Sequence, residues 1–210
     1  MPNKSVRYLS LITLLVAAVS CSTSDSSLGT DPPEQRPEAQ LTVVRSGPSA
    51  PQLVSATGSF YAKRGVDREI RLYYRPHAGR ADSTEFLRFR VRRDALSRRP
   101  DGTPFAQNDS VLITIRVVDP ARLLVEFQPS GLQFSNSEPA DLKLSYKEAG
   151  GDIDGDGDSD ATDRALERQL AIWFQESAGQ PWTRLTSLVF EDTDEVEGKV
   201  AGFTTYLVAY

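Results

Sequence analysis

Cysteine and histidine are nearly missing from this chain: Cys21 and His77 are the only ones. A single cysteine excludes an internal disulfide. A single histidine, no activated cysteine and no phosphate loop argue against an enzyme. An apolar run long enough to span a bilayer is also lacking. The longest, Leu9 to Val19, is short and interrupted by Ser10 and Thr13. A formal net charge of −5 argues against nucleic acid as a partner. The hydrophobic fraction of 39% is slightly low for a folded chain and points to non-globular ends or inserts.

What is present is acid, concentrated in one place. Asp152-Ile153-Asp154-Gly155-Asp156-Gly157-Asp158-Ser159-Asp160-Ala161-Thr162-Asp163 carries six carboxylates in twelve residues. Uncompensated, they repel one another. Calcium takes six to eight oxygens, and an EF-hand-type loop supplies them from positions 1, 3, 5, 7, 9 and 12, with glycine at 6. Counted from Asp152, positions 1, 3 and 5 are Asp152, Asp154 and Asp156, and Gly157 stands at 6. Asp158 at 7 offers its carbonyl, Asp160 at 9 acts directly or through water, and Asp163 closes the set. Without a metal, Asp160 would still cap a helix starting at Ala161, with Asp163 in its first turn.

The loop resembles the calcium loops of dockerins. That resemblance covers residues 152 to about 170 and implies the metal and its ligands only. No second loop exists to pair with it, and Ser159 stands where a paired loop has an aliphatic residue. A lone loop closed by Asp implies weak affinity, on the order of 10⁻⁴ M.

The N-terminus accounts for the cysteine. Lys4 and Arg7, the apolar run and Ala17-Ala18-Val19-Ser20 before Cys21 resemble the signal and lipobox of bacterial lipoproteins. The resemblance implies a signal peptide over 1–20, lipidation at Cys21 and a membrane held through that lipid. Ser22, where Asp would favour inner-membrane retention, points to the outer membrane. Residues 21–51, with five prolines, then read as a disordered tether. Leu41-Thr42-Val43-Val44 within it admits an edge strand.

From 52 to 210, period-two alternation recurs. Ile70, Leu72 and Tyr74 form one run, followed by Leu87, Phe89 and Val91, then Val111 to Val117 and Leu123 to Phe127. Leu142 to Tyr146, Leu170 to Phe174, Leu188 to Phe190, Val196 to Val200 and Tyr206 to Val208 continue it. With turn signals between them, these predict an all-β antiparallel sandwich with one short helix after the acidic loop. Leu166, Leu170 and Trp173 also fit a longer helix, so that helix's end is open.

Charge divides the domain. Lys63 to Arg99 holds 12 Lys+Arg against 5 Asp+Glu, and Asp141 to Glu197 holds 5 against 15. Arg88, Arg90 and Arg92 share a strand face, as do Arg71 and Arg75. Either this is a solvated sheet surface or it is a face for an anionic glycan or headgroup. Tyr73, Tyr74, Trp173 and Trp182 read as core, or as a sugar-stacking platform.

Val125 to Phe134 with its Pro129-Ser130-Gly131 turn, Leu142-Lys143-Leu144 and the tail Gly202-Phe203-Thr204-Thr205-Tyr206 resemble the β-sandwich domain shared by ankyrins, zonula occludens protein and Unc-five receptors. The resemblance covers roughly residues 85–210. It implies that Leu142–Tyr146 pairs with Leu170–Phe174, so that residues 148–169 interrupt a hairpin. Relatives that cut themselves use His-Phe-Ser; here Gly202 precedes Phe203 and Thr204 follows it, so no self-cleavage is expected. The whole reads as a non-enzymatic, calcium-binding surface lipoprotein with a structural or adhesion role and a protein or glycan partner. A glycan- or anion-binding module is the alternative.

Overall fold

The computed structural model describes residues 33–210, which form one compact unit. The signal segment, Cys21 and the first part of the expected tether lie outside the described residues. In chain order the strands are β1 (Gln35–Arg36), β2 (Thr57–Lys63), β3 (Arg68–Tyr73), β4 (Glu85–Val91), β5 (Leu96–Arg98), β6 (Ser110–Asp119) and β7 (Leu124–Gln128). They continue as β8 (Gln133–Phe134), β9 (Ala140–Ser145), β10 (Ala171–Gln175), β11 (Trp182–Arg184), β12 (Ser187–Phe190), β13 (Glu195–Val200) and β14 (Thr205–Ala209). The one α-helix among the described residues, α1 (Ala161–Glu167), lies between β9 and β10.

The expected antiparallel sandwich is what these strands build. A seven-stranded sheet runs β1-β11-β10-β14-β7-β6-β2, and a five-stranded sheet runs β12-β13-β9-β4-β3. A two-stranded ribbon of β5 and β8 stands beside them. The alternating residues do what their period requires. Ile113, Ile115, Val125 and Phe127 point inward from one sheet, and Leu87, Phe89, Leu142 and Leu144 from the other; all are buried. Phe89 sits 4.8 Å from Phe127, 5.6 Å from Phe203 and 6.1 Å from Phe134, ring centre to ring centre. These tilted contacts tie β4, β7, β8 and the Gly202–Thr204 segment at one point of the core.

Two expectations fail. The first is the hairpin around the acidic loop. β9 pairs with β4 and β13, whereas β10 pairs with β11 and β14. The flanking strands belong to different sheets, so residues 146–170 are a crossover between layers and not an insertion into a turn. The helix stops at Glu167 and the strand starts at Ala171, which settles the open boundary.

The second is the tether. Residues 33–47 are a strap fixed to the sandwich. Gln35 and Arg36 pair with Thr183 and Trp182. Val43 bridges Ala209, and Val44 N–H donates to Val208 O at 3.1 Å. Thr42 and Tyr210 exchange backbone bonds of 3.4 and 3.2 Å. The cause lies in β10 and β14. Both are apolar on their outer face as well, through Ala171, Trp173, Leu207 and Ala209. Leu41 and Val43 cover that face, and Val44 turns into the main core with no exposed surface. The folded domain therefore includes the strap from residue 33 and does not begin at 52.

Candidate metal centre

The acidic loop is anchored at both ends before any cation is considered. Upstream, Tyr146 and Ala149 are buried, and Gly47 N–H from the strap donates to Glu148 O at 2.7 Å. Within the loop, Ile153 reaches the main core with 3% of its surface exposed. Downstream, Tyr146 Oη donates to Glu167 Oε1 at 2.8 Å, fastening α1 to the end of β9. A non-polar residue at the second loop position, between Asp152 and Asp154, is thus the pin that holds the acidic segment on the protein.

Asp163 organises the loop from inside, with only 2% of the residue exposed. Its Oδ1 accepts from Ile153 N–H at 2.6 Å and Asp154 N–H at 3.2 Å, and its Oδ2 accepts from Asp160 N–H at 2.8 Å. Asp160 Oδ1 returns bonds from Thr162 N–H at 2.6 Å and Asp163 N–H at 3.3 Å, which completes a capping box on α1. The Asp160 N–H, opposed by burial and aided by the Ile153 and Asp154 N–H groups, holds the Asp163 carboxyl below the usual range. The expected helix cap and the expected ligand are therefore the same residues. A carboxylate has about four lone-pair sites, so Asp163 keeps acceptor capacity beyond its backbone bonds.

The remaining carboxylates wrap their own backbone. Asp152 accepts from Gly155 N–H at 2.8 Å and Gly157 N–H at 3.1 Å, Asp154 from Asp156 N–H at 3.2 Å, and Asp156 from Asp158 N–H at 3.1 Å. Gly157, at the sixth position, has φ of 102°, which a side chain would strain. Two groups result: Asp152, Asp154 and Asp156 converge, and so do Asp158, Asp160 and Asp163. In each, one oxygen per residue lies within 4.8 Å of the others, close enough to hold a metal ion. Crowding has a cost. Burial and then Asp156, Asp163 and Asp152 push the Asp154 carboxyl up, against the Asp156 N–H bond. Repulsion from Asp156, then burial and the charges of Asp160, Asp163 and Asp154, push Asp158 up. A cation would reverse both effects.

The arginine and tryptophan sites come out differently. Arg71 stands opposite Arg88, and Arg88 opposite Lys143, like charges that repel across strands. Arg71, Arg88, Arg90, Arg92, Lys143 and Lys199 on this face each have an acidic partner. Arg88 meets Glu85 at 2.9 Å, Arg90 meets Asp67 at 3.3 Å and Arg92 meets Asp141 at 3.0 Å. Arg71 meets Glu69 and Glu85, Lys143 meets Glu195, and Lys199 meets Asp141. The basic strand of the sequence is thus paired with acids from β4 itself, from the turn before β3 and from β9, so its charge is largely balanced on the folded surface. The sugar platform does not form. Trp173 has no exposed surface and Trp182 only 3%. Trp173 donates to Ala209 O at 3.2 Å, and the guanidinium groups of Arg36 and Arg184 lie 5.4 and 5.9 Å from its ring centre.

His77, the one histidine, places Nε2 3.0 Å from Glu148 Oε2, at the root of the acidic loop. Thr204, the residue at the self-cleavage position of the resemblance, donates its hydroxyl to Gln175 O. The strap was seen only in part: the edge strand that Leu41-Thr42-Val43-Val44 admits forms against Val208–Tyr210, but the docking of the rest was missed. Its sequence signal is the double-sided apolarity of Ala171–Phe174 and Tyr206–Ala209, which demands a cover on the outer face. Comparison with family models, curated proteins and solved structures returned no match for this chain.

Proposed function

We propose that the chain is a non-enzymatic, calcium-binding module of an exported lipoprotein, anchored through Cys21, in which the ion fixes the crossover between the two sheets. One observation carries it: all six acidic positions of the loop converge in two groups on a segment already pinned by Ile153 and closed by Asp163. Closure of the two groups onto one ion would place Asp152, Asp154, Asp156, Asp160 and Asp163 around it through their carboxylates and Asp158 through its carbonyl. Calcium, an oxygen-seeking cation, suits this all-oxygen set. Affinity on the order of 10⁻⁴ M would keep the site filled outside a cell and make it structural. A rigid crossover suits a surface role in adhesion or envelope assembly.

Titration calorimetry with calcium on the metal-stripped protein tests the reading. One ion bound per chain is expected, lost in Asp156→Asn. No heat at millimolar calcium would sink it. Mass spectrometry of the protein recovered from an envelope fraction should find a diacylglycerol on Cys21, absent in Cys21→Ser. It should also find the chain intact across Phe203-Thr204.

A further inference from the structure

At the end of the sandwich where β10 and β13 stop lies a pocket of about 510 Å³ that shares no residue with the acidic loop. It opens where the Ser130–Gln133 turn, Leu185 and the Ala201–Thr204 connection from β13 to β14 meet the end of β10. The volume is that of a small-molecule site. Leu132, Phe203 and Tyr206 line it and are buried, so they form its floor. Phe174 and Leu185 are half-buried and form its walls. Phe174 and Tyr206 lie 6.2 Å apart, ring centre to ring centre, with planes tilted by 41°. A cation placed beside such rings is attracted by their faces.

The polar groups choose the sign of charge. No Lys, Arg or His lines the pocket. The one charged residue that does is Glu176, exposed at the rim just past β10. Glu176 enters no ion pair among the described residues. Donors that could receive an anion are already engaged. Thr204 Oγ1 donates to Gln175 O, and Tyr206 Oη donates to Gly202 O. Leu132 N–H donates to Pro129 O at 3.3 Å, and Phe203 N–H to Leu132 O at 3.1 Å. An anion entering here would leave its water and find these donors taken. A cation would find a carboxylate without an ion-pair partner and three aromatic rings.

We propose that this pocket binds a small organic cation with an apolar body. Its ammonium group sits at the mouth between Glu176 and the Phe174 wall, and its body rests on Leu132, Phe203 and Tyr206. A neutral apolar molecule would fit the floor and leave Glu176 without a partner. A metal ion would gain Glu176 and give up its water for an apolar floor. An amine or quaternary ammonium on a hydrocarbon or aromatic body answers both halves of the site.

The test uses the full chain carrying Cys21→Ser, isotopically labelled for two-dimensional NMR, at low salt with calcium present. It is titrated with benzyltrimethylammonium, benzyl alcohol and phenylacetate, which share a ring and differ in charge. The cation should give saturable amide shifts at Gly131, Gln133, Gly202 and Thr204, the alcohol weaker ones and phenylacetate none. Glu176→Gln should weaken the cation about two- to fivefold, the worth of an exposed ion pair, and leave the alcohol unchanged. Ala201→Trp, at an exposed rim position, should block both without lowering the melting temperature. The proposal is overturned if the shifts do not saturate, or if they map to residues 152–163, where any cation is drawn to acid. It is equally overturned if phenylacetate binds as tightly as the cation, if Glu176→Gln leaves the cation's affinity unchanged, or if folded Ala201→Trp still binds. Should Ala201→Trp not fold, Glu176→Gln, an exposed position outside every strand, decides alone.

Discussion

Val44→Ala separates a docked strap from a tether. Val44 has no exposed surface and lies in the main core cluster, next to Leu41 and Val43 in a segment that is mostly polar elsewhere. The change removes two carbons, worth about 1.6 kcal/mol at about 0.8 kcal/mol each. A cavity of roughly 50 Å³ that did not collapse would add about 1 kcal/mol. The total, about 2–3 kcal/mol, corresponds to a melting temperature lower by roughly 4–10 °C in a domain of this size. The matched control is Val54→Ala, a residue 59% exposed, which should change stability by less than about 0.5 kcal/mol. Both are measured by circular dichroism on heating and by urea titration, with equal slopes required so that the midpoints compare. In a disordered tether Val44→Ala would have no effect. A melting temperature within about 1 °C of the parent, the shift of a change under about 0.5 kcal/mol in a domain of this size, would refute the docked strap.

Three further outcomes follow from the same contacts. Calcium at 100 times its dissociation constant should stabilise the fold by about 2.7 kcal/mol relative to the chelated protein, read as a rise in melting temperature; Asp152→Asn should remove the rise, and a variant that kept it would remove Asp152 from the site. At Asp141, burial raises the carboxyl, but the Lys199 and Arg92 bonds outweigh it and the net pKa is below 3.8. A depressed folded value means that its stabilisation is present above pH 3.8 and fades as pH falls through the folded pKa, so the difference in urea midpoint between parent and Asp141→Asn should be constant near neutrality and shrink below that pH; a difference that grew in acid would contradict the pairing. Replacing Arg88, Arg90 and Arg92 by Gln together should lower the melting temperature, by leaving Glu85 with Arg71 alone and Asp141 with Lys199 alone, and leave retention on a sulfated-polysaccharide column unchanged; lost retention would support the anion-binding face.

The sandwich was legible because its inward residues alternate cleanly, as in Val111 to Val117. The acidic loop was legible because its chemistry is local: carboxylates at fixed spacing, Gly157 at the turn and Asp160 at the cap. Pairing was not legible. Leu142 and Ile172 carry the same pattern whichever sheet their strands join, and only the three-dimensional closure sends β9 and β10 to opposite layers. Salt bridges were hidden for a related reason. Arg92 and Asp141 are 49 residues apart, so a count of local charge records an excess where the fold has a balance. The strap failed through composition. Pro33, Pro37, Pro48 and Pro51 outweigh Leu41, Val43 and Val44 in any local window, yet those three meet an apolar face presented from far along the chain.

Because the strap ends at the Gly47–Ala50 turn and not in a strand of the body, tension applied ahead of Pro33 meets a graded release. The Glu34–Arg184 contact and the Gln35-Arg36 pairs yield first, then Leu41 to Val44, while the sandwich from β2 onward stays closed. Fifteen residues have a contour of roughly 50 Å at about 3.3 Å each, and the slack before the sheets carry load is that contour less the distance the docked strap already spans. A force–extension trace should show a low-force step of that length ahead of the main rupture. The strap is then a shock absorber ahead of the domain.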